Sequence, residues 1–303
     1  MAKETLKIAK GVTTDLPLTD THRSSPKAKG GTYEPDNYDV INPVEHMIIH
    51  GNLRLREEDH DELKALVDDR EQLMKLKNKI QNQLLAFERR TDYERPDTKE
   101  HLGNAVDEIL PLLVSAEKSI DAWVTAHRKD DTIIDMAMNV HGLGKMTIAY
   151  LTVYVDLEKA RHASSLWSYA GLHCAAGDRY TKGEAGGGNK TLRTALWRTA
   201  DSMMKTRGAY REVYDRTKDR LSASEKIVKS RNTQGKLVEV MWKDAKPCHR
   251  HGAALRAMMK HILADYWMVG RTARGLDTTP LYVESVLGHQ GIIRPDERGW
   301  KIS

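Results

Sequence analysis

The sequence predicts a mainly α fold: an extended N-terminal arm, an antiparallel coiled-coil hairpin, and a compact helical domain with a helix-hairpin-helix-like turn. Three observations carry this reading. Apolar residues recur at helical spacing over two long stretches after residue 54. Glycines punctuate the shorter helical stretches that follow. Residues 1–50 instead scatter Gly11, Pro17, Pro26, Gly30, Gly31, Pro35 and Pro43 among Thr, Ser, Asp and Lys, with no sustained apolar period. The boundaries that follow are an arm at 1–54, a hairpin at 55–130, a helical domain at 131–275 with an inserted loop or short hairpin at 221–247, and a tail at 276–303.

In the arm, only Tyr38–Ile41 and His46–Ile49 have the alternation of short strands. From Glu57 to Arg90, Leu66, Leu73, Ile80 and Phe87 fall seven apart, with Leu63, Leu76 and Leu84 expected on the same side. After a polar break, Val106, Ile109, Leu113, Ala116, Ile120 and Trp123 form one stripe of a second helix from about Thr98 to His127. Pro111 is expected to kink it, because proline removes a hydrogen bond and crowds the preceding turn. The pair reads as a coiled-coil hairpin or as two core helices of a bundle. Beyond Asp130, helices are expected over 132–140, 145–155, 161–170, 191–217 and 252–269, with a glycine-rich loop at 171–190. The tail from Leu276 has little period and no assigned role.

A chain of 303 residues is long enough for a sizeable core and about two domains. Two cysteines cannot form a disulfide framework, which points to a reducing, cytoplasmic setting. No run approaches the length of a membrane span, so no membrane partner is expected. The net charge of +5 conceals an asymmetry: residues 161–275 carry 23 Lys+Arg against 10 Asp+Glu, and the remainder is acidic. Such a cluster suits a polyanion, although a solvated helical surface would also account for it.

Val140-His141-Gly142-Leu143-Gly144-Lys145-Met146-Thr147 joins two apolar helical stretches. Gly142 and Gly144 permit a tight turn that brings backbone N–H groups near a phosphate, with Lys145 adding charge and Thr147 a hydroxyl. A purely structural corner is the bland alternative. Next come Trp167-Ser168-Tyr169-Ala170-Gly171-Leu172, the basic glycine loop 173–190, and Thr191-Leu192-Arg193-Thr194-Ala195-Leu196. In the loop and the following helix, Arg179, Lys182, Lys190, Arg193 and Arg198 are the candidate phosphate contacts.

This order of motifs, followed by Arg250–Ile262, resembles the C-terminal transposase domain of insertion-sequence family 110, the RNA-guided transposases and invertases. The resemblance covers roughly residues 55–270, with the two long helices corresponding to the family's interdomain coiled coil. It implies nucleic acid as partner, structured RNA or DNA or both, and a homo-oligomer, dimer or higher. Two departures accompany it. The family's ribonuclease-H-like nuclease domain, with its metal-binding Asp and Glu, has no counterpart in the 50 or so leading residues. The loop that places a serine nucleophile in the family has no serine here, leaving only Thr181 and Tyr180 as hydroxyls.

The expectation is therefore a transposase-derived, nuclease-deficient protein that binds nucleic acid through backbone phosphates. The alternative is a compact recombinase using Thr181 or Tyr180, or a serine from Ser164, Ser165 and Ser168, with a partner chain supplying the metal site. An interaction scaffold without nucleic acid is the third reading. No resident cofactor is expected; the resemblance allows a guide RNA, and magnesium only with a nuclease partner. Cys248, His249 and His251, with Cys174 or His173, have zinc-ligand chemistry but match no zinc spacing, so no metal is expected. Trp167, Trp197, Tyr169 and Trp267 are read as core residues, not as stacking platforms for bases.

Overall fold

A computed structural model of the protein describes residues 20–23, 38–41, 55–89, 96–173, 187–232, 234–278 and 294–301. Eight helices dominate these residues. In the arm, strands β1 (Asp20–Arg23) and β2 (Tyr38–Ile41) pair antiparallel, Asp20 opposite Ile41. The second candidate strand, His46–Ile49, lies outside the described residues.

Helices α1 (Glu57–Glu88) and α2 (Pro96–Ala126) pack along each other as the hairpin. On α2 the expected stripe is the buried one, from Val106, Ile109 and Leu113 to Ile120 and Trp123. Pro111 lies within the helix and on its exposed side. There the missing N–H can be compensated by water, so α2 runs on through it. On α1, Leu63 and Val67 are fully buried, whereas Leu76, expected on the same side, is 46% exposed. The hairpin is thus both of the forms read from sequence. Its base, with Leu63, Val67, Ile120 and Trp123, joins the main core, and its far end is a two-helix pair outside that core among the described residues.

The short helix α3 (Thr132–Met138) begins at Asp131, whose carboxylate accepts from the N–H groups of Ile133 and Ile134 at 2.8 and 3.2 Å. That buried carboxylate also accepts from Arg274 at 2.7 Å, tying the start of α3 to the end of the last helix. Then follow α4 (Lys145–Tyr154), α5 (Ala163–Tyr169), α6 (Lys190–Thr206) and α7 (Ala209–Ala223). The single helix expected over 191–217 is in fact α6 and α7. Arg207 takes a left-handed conformation (φ 57°) and Gly208 follows in extended geometry, so the chain turns and α7 packs back on α6.

The inserted segment is a β-ribbon, β3 (Ile227–Arg231) paired antiparallel with β4 (Leu237–Met241). The last helix, α8 (Pro247–Ala273), is longer than its expected 252–269 and packs on α3, α5, α6 and α7. Its second half is almost wholly buried around Trp267, whose indole N–H donates to the Ala160 carbonyl at 2.6 Å. Burying a side chain of that size stabilises the fold by about 2–3 kcal/mol.

The tail left without a role in the sequence reading docks through residues 294–301. Arg298 forms a two-point ion pair with Asp265 of α8 at 2.6 and 2.5 Å. Trp300 is buried beside it, and its indole N–H donates to the Tyr210 hydroxyl at 2.8 Å. Low apolar content hid this segment, because it is attached by an ion pair, an indole and the Asn139 amide on the Lys301 carbonyl instead of by a periodic stripe. No helix among the described residues is long and apolar enough to cross a membrane.

Candidate nucleic-acid interface

The turn before α4 is built as its glycines suggest, and the two glycines do different work. Gly142 sits at φ +82°, and a Cβ there would lie 2.8 Å from Thr206 Oγ1 and 3.1 Å from Met203 Cγ. Both the backbone conformation and the close approach of α6 therefore require glycine. Gly144 is the N-cap of α4 at φ −72°, and a Cβ added to it would meet nothing within 4 Å. Its small size leaves open space in front of the helix start.

That space is part of a cleft of about 470 Å³ bounded by α1, the turn with α4, and α6. Helix periodicity decides which residues face it. From α1 come Arg70, Glu71, Met74, Lys75 and Asn78, spaced as one face. From the turn and α4 come Gly142, Gly144, Met146, Thr147 and Tyr150. From α6 come Lys190, Thr191, Thr194, Ala195, Arg198 and Ser202, again one face.

The floor is tied together by hydrogen bonds across the three elements. Thr199 donates its proton to the Ala195 carbonyl at 2.9 Å, so the 2.5 Å contact between the Thr147 and Thr199 hydroxyls has Thr147 as donor. Tyr150 is buried and donates to Glu71. Burial first, and the Glu71 carboxylate second, push its phenol well above the ordinary tyrosine range. Arg70, also buried, spreads its guanidinium over Glu117 at 2.6 Å, Glu71 at 3.1 Å and the Tyr150 hydroxyl at 3.1 Å. These bonds satisfy a charge that would otherwise be costly to bury, and they lock the hairpin onto α4.

At the rim the chemistry differs. Lys75, Lys190 and Arg198 are exposed and have no ion-pair partner among the described residues, against the one carboxylate of Glu71, already engaged by Tyr150 and Arg70. The cleft thus offers unneutralised cations around a recess with Thr191 and Ser202 hydroxyls and the Asn78 amide, a suitable setting for an anion.

Five residues chosen from sequence, Gly142, Gly144, Thr147, Lys190 and Arg198, meet in this cleft. Two others are turned away by tertiary contacts. Lys145 pairs with Asp121 of α2 at 2.8 Å, and Arg193 reaches the Gly171 carbonyl at 3.3 Å. Arg193 thereby braces the neck of the glycine loop, where Gly171 and Gly188 both have positive φ and the Asn189 N–H donates to the Tyr169 carbonyl at 2.6 Å. A Cβ on Gly188 would sit 2.5 Å from the Gly171 backbone nitrogen, so the neck closes only with glycine. Arg179, Tyr180, Thr181, Lys182 and Cys174 lie outside the described residues. The stem Gly187–Asn189 that returns from them runs directly into Lys190 at the cleft. Of the remaining cations on this side of the domain, Lys205 pairs with Asp201 and Arg211 with Asp215.

The cleft also contains residues that sequence reading missed. Arg70, Met74, Lys75 and Asn78 belong to the hairpin, and their only signal was a coiled-coil heptad in which cations and methionine look like ordinary surface positions. Among the aromatic residues, Trp267 and Trp167 have their indole N–H groups bonded to carbonyls as core residues do. Tyr169 and Trp197, also expected in the core, are 42% and 39% exposed. His251 Nδ1 pairs with the Tyr214 hydroxyl at 2.8 Å, and the His249 ring lies tilted against Trp242, 4.9 Å between centroids. Among the described residues, no three His, Cys, Asp or Glu side chains gather in a way that could hold a metal ion. No family model matches the chain and no curated protein matches its sequence.

Proposed function

We propose that this chain is a transposase-derived nucleic-acid-binding protein that grips structured RNA or DNA by its phosphates at the cleft between α1, α4 and α6. The observation that carries the proposal is the meeting of Lys75, Lys190 and Arg198, without carboxylate partners among the described residues, around the open space before Gly144. Exposed, unneutralised cations around a concave site release condensed counterions when a polyanion binds, and this drives sequence-independent affinity. The basic balance of residues 161–275 supports the same reading on a larger scale. The order of motifs, which resembles that of insertion-sequence family 110, supports the transposase origin.

The test is fluorescence anisotropy with a labelled RNA hairpin and a labelled DNA duplex between about 50 and 200 mM salt. Affinity is expected to fall steeply with salt. In the triple variant Lys75→Ala, Lys190→Ala, Arg198→Ala, the slope of log affinity against log salt is expected to shrink by about 0.7–0.9 for each phosphate that is no longer neutralised. Absence of binding to either nucleic acid at low salt would refute the proposal, and the scaffold reading would then stand.

A further inference from the structure

Resting on the reading of the cleft as a nucleic-acid site, we infer that it encloses an unstacked nucleotide of a single-stranded segment, base inside and phosphates at the rim, instead of gripping the outside of a duplex. Three features point this way. The first is shape: about 470 Å³ is the size of a recess that surrounds a small ligand, roughly 300–1,000 Å³, and a single nucleotide is such a ligand. A duplex presents a convex surface of phosphates and cannot enter it.

The second is composition. A site for phosphate alone needs cations and N–H groups, yet Met74, Met146 and Ala195 also line this recess and remain half-buried. A thioether sulfur close to an aromatic ring makes favourable contacts, and a base offers such a ring whatever its identity. The third is the placement of polar groups. Glu71, which lines the cleft, receives both Tyr150 and Arg70 on Oε1, which leaves its second carboxylate oxygen as a further acceptor. That oxygen repels phosphate and accepts from the amino group of a base. Lys190 and Arg198, two turns apart on the opposite wall, hold the phosphates, while the Thr191 and Ser202 hydroxyls can donate to the sugar or base edge.

The occupant is therefore a loop, bulge or end of a structured RNA, or a melted DNA strand, with one nucleotide turned into the protein. Its sequence preference is confined to bases that carry an amino group.

The experiment measures binding at one fixed salt of a 12-nucleotide single strand, the same strand in a fully paired blunt duplex, and an RNA hairpin with 2-aminopurine in its loop. Wild-type protein is expected to bind the single strand and hairpin at least tenfold more tightly than the duplex, and to change the 2-aminopurine emission on binding. Met74→Ala with Met146→Ala is expected to weaken single-strand binding about tenfold, the loss of two thioether contacts to the base, with the salt slope unchanged. Gly144→Leu is the second variant; its Cβ meets nothing within 4 Å and φ is −72°, so the protein folds while the recess is filled. It is expected to abolish the single-strand preference. Equal affinity for duplex and single strand, with Lys190→Ala and Arg198→Ala still weakening both, would overturn this inference and leave phosphate gripping intact. No binding of any probe would overturn both.

Discussion

Replacing Arg298 by methionine tests whether the C-terminal segment is a structural part of the helical domain. Arg298 and Asp265 are 4% and 2% exposed as side chains and make two bonds of 2.6 and 2.5 Å. Tyr210 donates to the same carboxylate at 2.5 Å, and Trp300 donates to Tyr210. Arg298→Met retains most of the volume but leaves the Asp265 carboxylate buried with a single hydroxyl donor. Removing one partner of a buried pair costs about 3–5 kcal/mol, chiefly through the stranded charge. For a chain of this size each kcal/mol corresponds to about 2 °C, so the melting temperature should fall by about 6–10 °C. Adding Asp265→Asn removes the stranded charge and keeps an acceptor for Tyr210, and the double variant should recover most of that loss. Urea and thermal unfolding followed by circular dichroism at 222 nm measure all four corners of the cycle. A single-variant change below about 1 kcal/mol, or strictly additive singles, would refute the reasoning.

Further outcomes are expected from the same structure. Gly142→Ala should destabilise the protein by about 1–2 kcal/mol through its left-handed backbone, with more from the approach of Thr206, whereas at Gly144 the weaker N-cap of alanine and the reduced freedom of the unfolded chain oppose each other, so Gly144→Ala should change stability by less than about 1 kcal/mol. Burial, reinforced by Asp68, raises the Tyr154 phenol to about 12, and burial raises Tyr150, Tyr210 and Tyr266 as well. The stability these protonated phenols confer is full below the ordinary tyrosine value near 10 and is lost as pH rises toward 12. Absorbance at 295 nm should accordingly show four of the eleven tyrosines titrating above the ordinary range in the folded protein. The hydrogen bond from Arg56 holds the Asp59 carboxyl below its ordinary 3.8, so its stabilisation is present above that value and lost as pH falls further. Asp59→Asn should flatten the acid limb of the stability profile below about pH 4.

Much of the helical layout was legible because burial repeats with the period of the helix. The stripe from Val106 to Trp123 on α2 could be read directly, and so could the turn at Gly142, where only glycine tolerates the backbone. The break at Arg207 had one signal, the following Gly208, but a lone glycine within a continuous amphipathic pattern is also tolerated inside a helix, and the left-handed arginine adds no signal of its own. The exposure of Trp197 and Tyr169 was not legible, since residue type states a preference for burial and not the presence of a neighbour.

Local features were therefore written into the chain itself: which segments are helices, where most turns fall, and that positive charge gathers after residue 160. These follow from periodicity, backbone sterics and composition, each acting over a few residues. The cleft arises from packing at a distance, because Lys75 and Arg198 are more than a hundred residues apart and meet through the docking of α1 onto α4 by Arg70, Glu71 and Tyr150. Packing likewise turns Lys145 to Asp121 and Arg193 to the loop neck, since the direction of a long cation depends on which helix lies beside it.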